Sequence, residues 1–327
     1  MSVAKHRLAF IRAAVHGRLL ALLLIWLVSI AAMAVLSPFF LQWQTVPFIL
    51  QYVSIIGLLG IAQTIVMLAG GPGIDLSVGS VLSLVGIAMS ALVKMGVEVH
   101  LAAGVGLCFG AFLGLINGIL ITRIGIPSLI ATIATMFAFG GLAVALTGGS
   151  PVGGIPESFG WLGQEATLGV PNAFLFVLLP VAASLHIMLT KTVAGRHIVA
   201  CGNNDHASHL LGINVSVVRT SLYVLNGALA ALGSIISMSW FLSARPDAGK
   251  GMELLAITIA VLGGSHIFGG VGSIPGTVIA MLIVTTLQVG LQLANISPAW
   301  QLGVIGMLLI LSMSLNSMKS WRWRRTR

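Results

Sequence analysis

Few residues in this chain are equipped for chemistry, and most of them lie in three short stretches. Asp75 sits in the glycine-rich segment GGPGIDLSVGS, which runs from Gly70 to Ser80 between two apolar runs and also carries Gly71, Ser77 and Gly79. A carboxylate beside hydrocarbon is costly and needs a partner or water. Two roles fit it: capping a helix that opens at Leu76 by accepting backbone N–H groups, or lining a pathway as a proton or ion site. The other acidic residues fall in loops or at the ends of apolar runs, which is poor equipment for a proton-coupled carrier. A second stretch, KTVAGRHIVACGNNDHASHLLGINVSVV, covers residues 191–218. In it Asn204 or Asp205 can cap a short helix that presents Ala207, Leu210 and Leu211 at i, i+3, i+4 spacing and stops at Gly212. Such a helix can lie on a membrane or enter a groove of a soluble partner. His206 and His209 stand three apart on it, but with no third ligand nearby they read as surface histidines rather than a metal site. The third stretch, SARPDAGKGMELLA, carries Arg245, Asp247, Lys250 and Glu253, either as a solvated turn with local charge pairing or as a docking patch for an outer partner.

Catalysis is not supported. The sequence holds no Ser–His–Asp spacing, no HExxH and no metal cluster, and Gly249-Lys250 lacks the upstream glycine of a phosphate-binding loop. If ATP drives this protein, another chain must bind it. Cys108 lies within an apolar run and Cys201 in a polar loop, different environments that argue against a disulfide framework.

The elements that must position these residues are membrane helices. The chain of 327 residues is 57% hydrophobic and 7% charged, with a mean hydropathy of +1.08. Soluble domains carry about 25% charged residues, so lipid must solvate most of the exterior. Apolar runs fall at 19–37, 46–69, 79–95, 100–122, 126–147, 172–190, 219–242, 254–269, 274–296 and 299–316. Each approaches the roughly 20 residues that a span requires. The expectation is an all-α integral membrane protein of about ten transmembrane helices in one permease-like domain over residues 1–327. The first run has a basic start and an Ala32-Met33-Ala34 triplet, as a signal peptide would, but its length and the following Pro38 read as a retained span.

Charge orients the runs. With a cytoplasmic N-terminus and ten crossings, Lys5, Arg7, Arg12, Arg18, Arg123, Lys191, Arg196, Arg219, Lys319, Arg322, Arg324, Arg325 and Arg327 lie inside, against Lys94, Arg245 and Lys250 outside. That is a strong positive-inside bias. The net charge of +9 therefore reflects membrane orientation and not a nucleic-acid surface. Residues 1–18 and 317–327 become basic cytoplasmic ends, 191–218 a cytoplasmic loop and 148–171 an extracytoplasmic loop. Trp43, Trp161, Trp240 and Trp300 fall near outer ends, and Trp321 and Trp323 near the inner face, whereas Trp26 is mid-span. A second glycine-rich segment, GGSHIFGGVGS at Gly263–Ser273, aligns without gaps on Gly70–Ser80 and turns on the same side. It contributes Gly264, Gly269, Gly270 and Gly272, with His266 either hydrogen-bonded or facing a cavity. Internal duplication and convergence on glycine-rich packing both account for the match.

Several stretches together carry a resemblance. GGPGIDLSVGSVLSLVG, GAFLGLINGILIT, IPSLIATIATMFAFGGLAVALTGGSPV, AGRHIVACGNNDHASHLLGINV, GKGMELLAITIAVLGGSHIFGGVGSIPGT and ISPAWQLGVIGMLLIL, spread from about Ile61 to Leu315, resemble the permease subunits of ribose/xylose/arabinose/galactose-type ABC importers. The resemblance implies that Asn204–Gly212 is the coupling helix seated in a groove of an ATP-binding cassette ATPase subunit, which holds ATP and Mg. It also implies a second permease subunit and an extracytoplasmic solute-binding protein that delivers the solute, with a monosaccharide first in expectation. An autoinducer-type or amino-acid solute, and an ATPase-independent secondary transporter, are the alternatives. The chain departs from the family where Asp205, His206, Ser208, His209 and Leu211 replace Glu, Glu, Ala, Arg and Ser in the coupling helix, and where Leu255 replaces Asp. Pro72 and Gly73 stand in place of a shorter connection.

Overall fold

In lipid a chain must satisfy its own backbone hydrogen bonds, and runs of Leu, Ile, Val, Ala and Gly do so as helices. The computed structural model of the chain describes the backbone of residues 2–71 and 73–325 and the side chains of residues 17–71, 73–297, 299–311, 313 and 314. Pro72 and the side chains of Lys5, Arg7, Arg12, Lys319, Trp321, Arg322, Trp323, Arg324, Arg325 and Arg327 lie outside the described residues.

The helices are α1 (Ser2–Leu36), α2 (Thr45–Leu68), α3 (Val78–Lys94), α4 (Val99–Thr122), α5 (Ser128–Thr147), α6 (Leu179–Lys191), α7 (Val193–Asn203), α8 (Asp205–Leu210), α9 (Val215–Phe241), α10 (Met252–Leu262), α11 (Ile274–Leu293) and α12 (Pro298–Arg325). A π turn at Phe174–Leu178 leads into α6. The only strands among the described residues are the two-residue β1 (Ala166–Thr167) and β2 (Val170–Pro171), paired antiparallel. The protein is an all-α membrane protein. Seven segments are long and apolar enough to cross a bilayer: Gly17–Leu36, Thr45–Leu68, Val99–Thr122, Ser128–Thr147, Phe174–Lys191, Val215–Phe241 and Ile274–Leu293. Val78–Lys94, Met252–Leu262 and Ala299–Leu311 are shorter apolar helices.

Burial sorts these helices into core and periphery. Two thirds (67%) of the apolar window of α2, α9 and α11 is buried, against 17% for α1 and for the segment containing α6. The core therefore runs along α2, α9 and α11, and the outer helices turn apolar side chains such as Val28, Phe112 and Ile187 outward. Helix α4 approaches α9 along Gly110, Gly114 and Gly118, spaced four apart, while Gly106 faces Met89 and Val85 of α3. A methyl group at Gly114 would strike the Tyr223 carbonyl, and one at Gly110 would lie 2.6 Å from the Ala231 Cβ. Close backbone approach of this kind supplies helix association where lipid removes the hydrophobic drive.

The runs and the helices differ at three places. The run at 254–269 ends as a helix at Leu262, because Gly263 and Gly264 close α10 and the chain then turns through Gly264 (φ +109°), Gly269 (φ +98°) and Gly270 (φ +75°). The helix expected to open at Leu76 opens at Val78. The 191–218 stretch contains not one helix but two, α7 and α8, because Thr192, Asn204 and Asn214 each accept an N–H at the start of a helix. Trp26, which fits no aromatic belt, donates its indole N–H to the Thr286 hydroxyl at 3.1 Å and ties α1 to α11. Cys201 is not in an exposed loop but buried on α7, where burial pushes its thiol pKa up.

Candidate functional site

The short helix α8 is set by its caps. The Asn204 side chain accepts the Ala207 N–H at 3.0 Å, so Asn204 and not Asp205 is the cap. Gly212, at φ +77°, ends the turn. Asp205 is used elsewhere. Its two oxygens accept Arg219 Nη1 and Nη2 at 2.8 and 2.7 Å. The same guanidinium donates Nε and Nη2 to the Ala69 carbonyl at 3.2 and 3.1 Å. The planar fork of arginine permits this double use. Arg219 thereby joins α8, the end of α2 and the start of α9. The opposite side of α8 is open: Leu210 is 74% and Leu211 77% exposed, and Ala207, His206 and His209 are exposed beside them.

Glycines fasten the same end of the bundle. Gly70 and Gly71 follow α2 at φ +71° and +64°. Gly202, in the last turn of α7, leaves no room for a methyl group against the Leu68 carbonyl and Gly270. Gly70 touches Gly269, and the Gly270 N–H donates to the Leu68 carbonyl at 3.0 Å. The two glycine-rich segments thus meet one another and α7 in a single junction. Gly263 lies against the backbone of Thr277, Gly272 against Ser265, and the Gly264 carbonyl accepts Arg18 Nη1 at 3.3 Å. His266 accepts the Phe268 N–H at 3.3 Å on Nδ1, and its backbone N–H donates to the Val271 carbonyl at 2.8 Å, so it is hydrogen-bonded within its turn.

Asp75, 2% exposed, is the hub of a buried polar network. Its Oδ1 accepts the Ser77 N–H at 2.8 Å and the Ser77 hydroxyl at 2.7 Å. Its Oδ2 accepts Asn226 Nδ2 from α9 at 2.6 Å. Asn117 of α4 donates to the Ser77 hydroxyl oxygen at 2.7 Å and accepts the Thr135 hydroxyl of α5 at 2.8 Å. The amide of Gln63 on α2 is oriented to donate to the Asp75 carbonyl at 3.1 Å and accept its N–H at 3.3 Å. The carboxyl oxygens are held by neutral donors from Ser77, at the start of α3, and from Asn226 of α9, as a buried polar group requires.

At the far end, the α9–α10 connection dips inward. Gly249 touches Gly79 in the first turn of α3, and the Ser83 hydroxyl oxygen accepts the Gly249 N–H at 3.0 Å. Arg245 pairs with Asp247 at 3.2 Å. Beside this contact lies a cavity of about 440 Å³ lined by Ser80, Ser83, Phe137, Asp247, Lys250 and Glu253, among others. Three of the four charged residues of the outer turn therefore line this cavity. The extracytoplasmic candidate loop, 148–171, pairs with the same connection through Val152 and Ala244.

Sequence reasoning passed over Arg219 and Gly202. A signal for each was present: a lone arginine at the start of an apolar run, and a glycine in the polar stretch just ahead of the Asn204 cap.

Residues 45–313 match the family described as branched-chain amino acid transport system / permease component. The chain is similar to the ribose import permease protein RbsC of Escherichia coli strain K12, 37% identical over 297 residues, 90% of this chain and 92% of that protein. It is similar also to RbsC of Bacillus subtilis strain 168, 38% identical over 295 residues, 90% and 91% of the two chains. With the autoinducer 2 import system permease protein LsrD of Escherichia coli O9:H4 (strain HS) it shares 34% identity over 323 residues, 95% and 97% of the two chains. No solved structure matches it.

Proposed function

The chain belongs to the branched-chain amino acid transport system / permease component family and is the membrane-spanning permease subunit of an ATP-binding cassette importer for a small polar solute, and we propose that the solute is a monosaccharide and that α8 is the helix through which a partner ATPase drives its passage. Family membership implies an ATPase subunit and a solute-binding protein; the ATP and Mg belong to the ATPase. A second permease copy, or a related permease, completes the path. Ten spans cross the bacterial inner membrane, α3, α10 and Ala299–Leu311 of α12 joining the seven long segments. Both termini and the 191–218 loop, with residues 1–18 and 317–327, face the cytoplasm, and the 148–171 loop with Arg245 receives the binding protein outside.

One observation carries the coupling assignment. Leu210 and Leu211 stand exposed on a helix that is otherwise anchored, through Arg219 and the Gly202 junction, to the ends of α2, α9 and the α10–α11 turn. Exposed apolar knobs on a fixed base suit a groove in a partner. ATP-driven closure of the ATPase pair would pull α8 and, through the anchors, rock the helices as bodies between inward- and outward-facing states. Ribose is the first solute to test, since two ribose import permeases share 37% and 38% of residues with this chain. A second reading, uptake of autoinducer 2, is favoured by the longer match to LsrD, 95% of this chain.

The test pairs Leu210→Glu and Leu211→Glu. Both positions are exposed, so the permease is expected to fold and insert. The ATPase should fail to co-purify with it, and uptake of labelled ribose in cells should fall to background. A double variant that keeps its ATPase and its uptake overturns the assignment. A wild-type complex that carries autoinducer 2 and not ribose overturns the monosaccharide reading alone.

A further inference from the structure

The cavity between α3, α5 and the α9–α10 connection carries more polar chemistry than a lipid-facing recess tolerates. Intramembrane charge faces a bundle interior or water and not hydrocarbon. Here Glu253, in the first turn of α10, and Asp247 border the same space as the Ser80 and Ser83 hydroxyls. The two hydroxyls are complementary in what they leave free. Ser80 spends its proton on the Ser77 carbonyl at 2.8 Å, so its oxygen can accept. Ser83 accepts the Gly249 N–H at 3.0 Å, so its O–H can donate. The remaining wall is α5, where Gly140 and Gly141 face the space. A methyl group at Gly141 would meet nothing within 4 Å, and one at Gly140 only the Ser80 Cβ at 3.7 Å. Neighbouring backbone does not demand glycine at these two positions, unlike Gly79 and Gly249. What glycine does there is leave volume.

We propose that this cavity is one protomer's share of the solute path, and that Glu253, Ser80 and Ser83 hold the hydroxyl groups of a polyhydroxylated solute as it passes. Glu253 and Ser80 accept O–H donors, Ser83 donates, and the Phe137 ring offers an apolar wall. The volume, about 440 Å³, lies in the range of small-molecule sites. The path is closed by a second permease copy against the exposed face of α5, where Phe137 is 71% exposed. The inference rests on the permease assignment and deepens it by placing the solute.

Two experiments separate its failure from failure of the monosaccharide reading. The first needs no solute. In a variant lacking Cys108 and Cys201, Gly141→Cys and, one turn on, Val144→Cys are treated in intact cells expressing the whole importer with a charged, membrane-impermeant methanethiosulfonate. Reaction at either position supports a watery path. Reaction only with a lipid-soluble thiol reagent, or with neither, overturns it. The second uses labelled ribose with the permease, ATPase and binding protein in proteoliposomes. Loss of a hydrogen bond to a charged group predicts that Glu253→Gln lowers uptake about tenfold at equal amounts of assembled complex, with partial recovery in Glu253→Asp. Uptake within about twofold of wild type means that Glu253 does not meet the solute and overturns its assignment. If the wild type carries no ribose, the monosaccharide reading fails, and the labelling result alone decides the cavity.

Discussion

Arg219 holds three helices with one side chain. Its fork spans Asp205 and the Ala69 carbonyl, so it sits where motion of α8 would have to pass to α2 and α9. The ion pair itself contributes little to stability, about 1 kcal/mol or less, because the Asp205 side chain is 53% exposed and water screens it. The guanidinium is only 16% exposed, and its geometry matters more than its charge. Lysine keeps the charge but cannot reach both acceptors at once. Arg219→Lys is therefore expected to leave the amount of folded permease unchanged and to lower solute moved per ATP hydrolysed by about fivefold to tenfold. A ratio equal to wild type in reconstituted complex would show that Arg219 fastens α8 without transmitting its motion.

At the scale of the element, glycine does two different things that composition alone does not separate. On α4, Gly114 is required by the backbone of α9, while Gly104 on the same helix faces open space. Forcing a side chain into the α4–α9 seam costs about 1–3 kcal/mol or more, as overpacking does elsewhere. Gly114→Val should aggregate on extraction into detergent, whereas Gly104→Val should melt within about 3 °C of wild type, as surface substitutions do. Size-exclusion chromatography with a heating step reads both. Equal behaviour of the two variants would remove the close α4–α9 approach as a determinant of the fold. The same contrast separates Gly202, locked against Gly270 and the Leu68 carbonyl, from Gly141, which borders the cavity.

The whole molecule has two ends, and the topology follows from which residues share each. Arg18, Gly70, Gly202, Arg219 and Gly269 lie together at one end. Ser37 with Leu293, and Val152 with Ala244, meet at the other. This alternation requires α3 and α10 to pass from one end to the other despite their length. Helix α10, at 11 residues, rises only about 16 Å. On the proposed ten spans, the crossing is completed by irregular backbone at 73–77 and in the α9–α10 connection, where Gly249 packs against Gly79 and Asp247 and Lys250 line the cavity, as the bilayer rule allows. In a variant lacking Cys108 and Cys201, Met95→Cys, after α3, should react with an impermeant reagent from outside. Phe268→Cys, after α10, and Leu211→Cys should react only once the membrane is opened. All three residues are exposed. Labelling of Met95→Cys and Leu211→Cys from the same side would overturn the ten-span count.

Much of this was legible without coordinates. The apolar runs marked every long helix, because in lipid a stretch of about 20 apolar residues has no alternative to helix. Asn204, Leu210, Leu211 and Gly212 were legible because capping and helical spacing are local properties. The eighth run was read too long, since hydropathy counts Ile267 and Phe268 as helix while only the positive-φ glycines around them end it. Asp75 could be recognised as a carboxylate in need of partners, but not as the partner of Asn226, which lies 151 residues away.

The sequence by itself determined the solvent, the long helices and the local caps that start and stop the short helix α8. Each of these depends on composition or on neighbours within a turn. Tertiary structure decided which glycines touch, which charge Arg219 grips and that the outer charged turn folds inward beside Ser80 and Ser83. Those depend on backbones coming within van der Waals distance across long separations, and no periodicity or composition records such a contact.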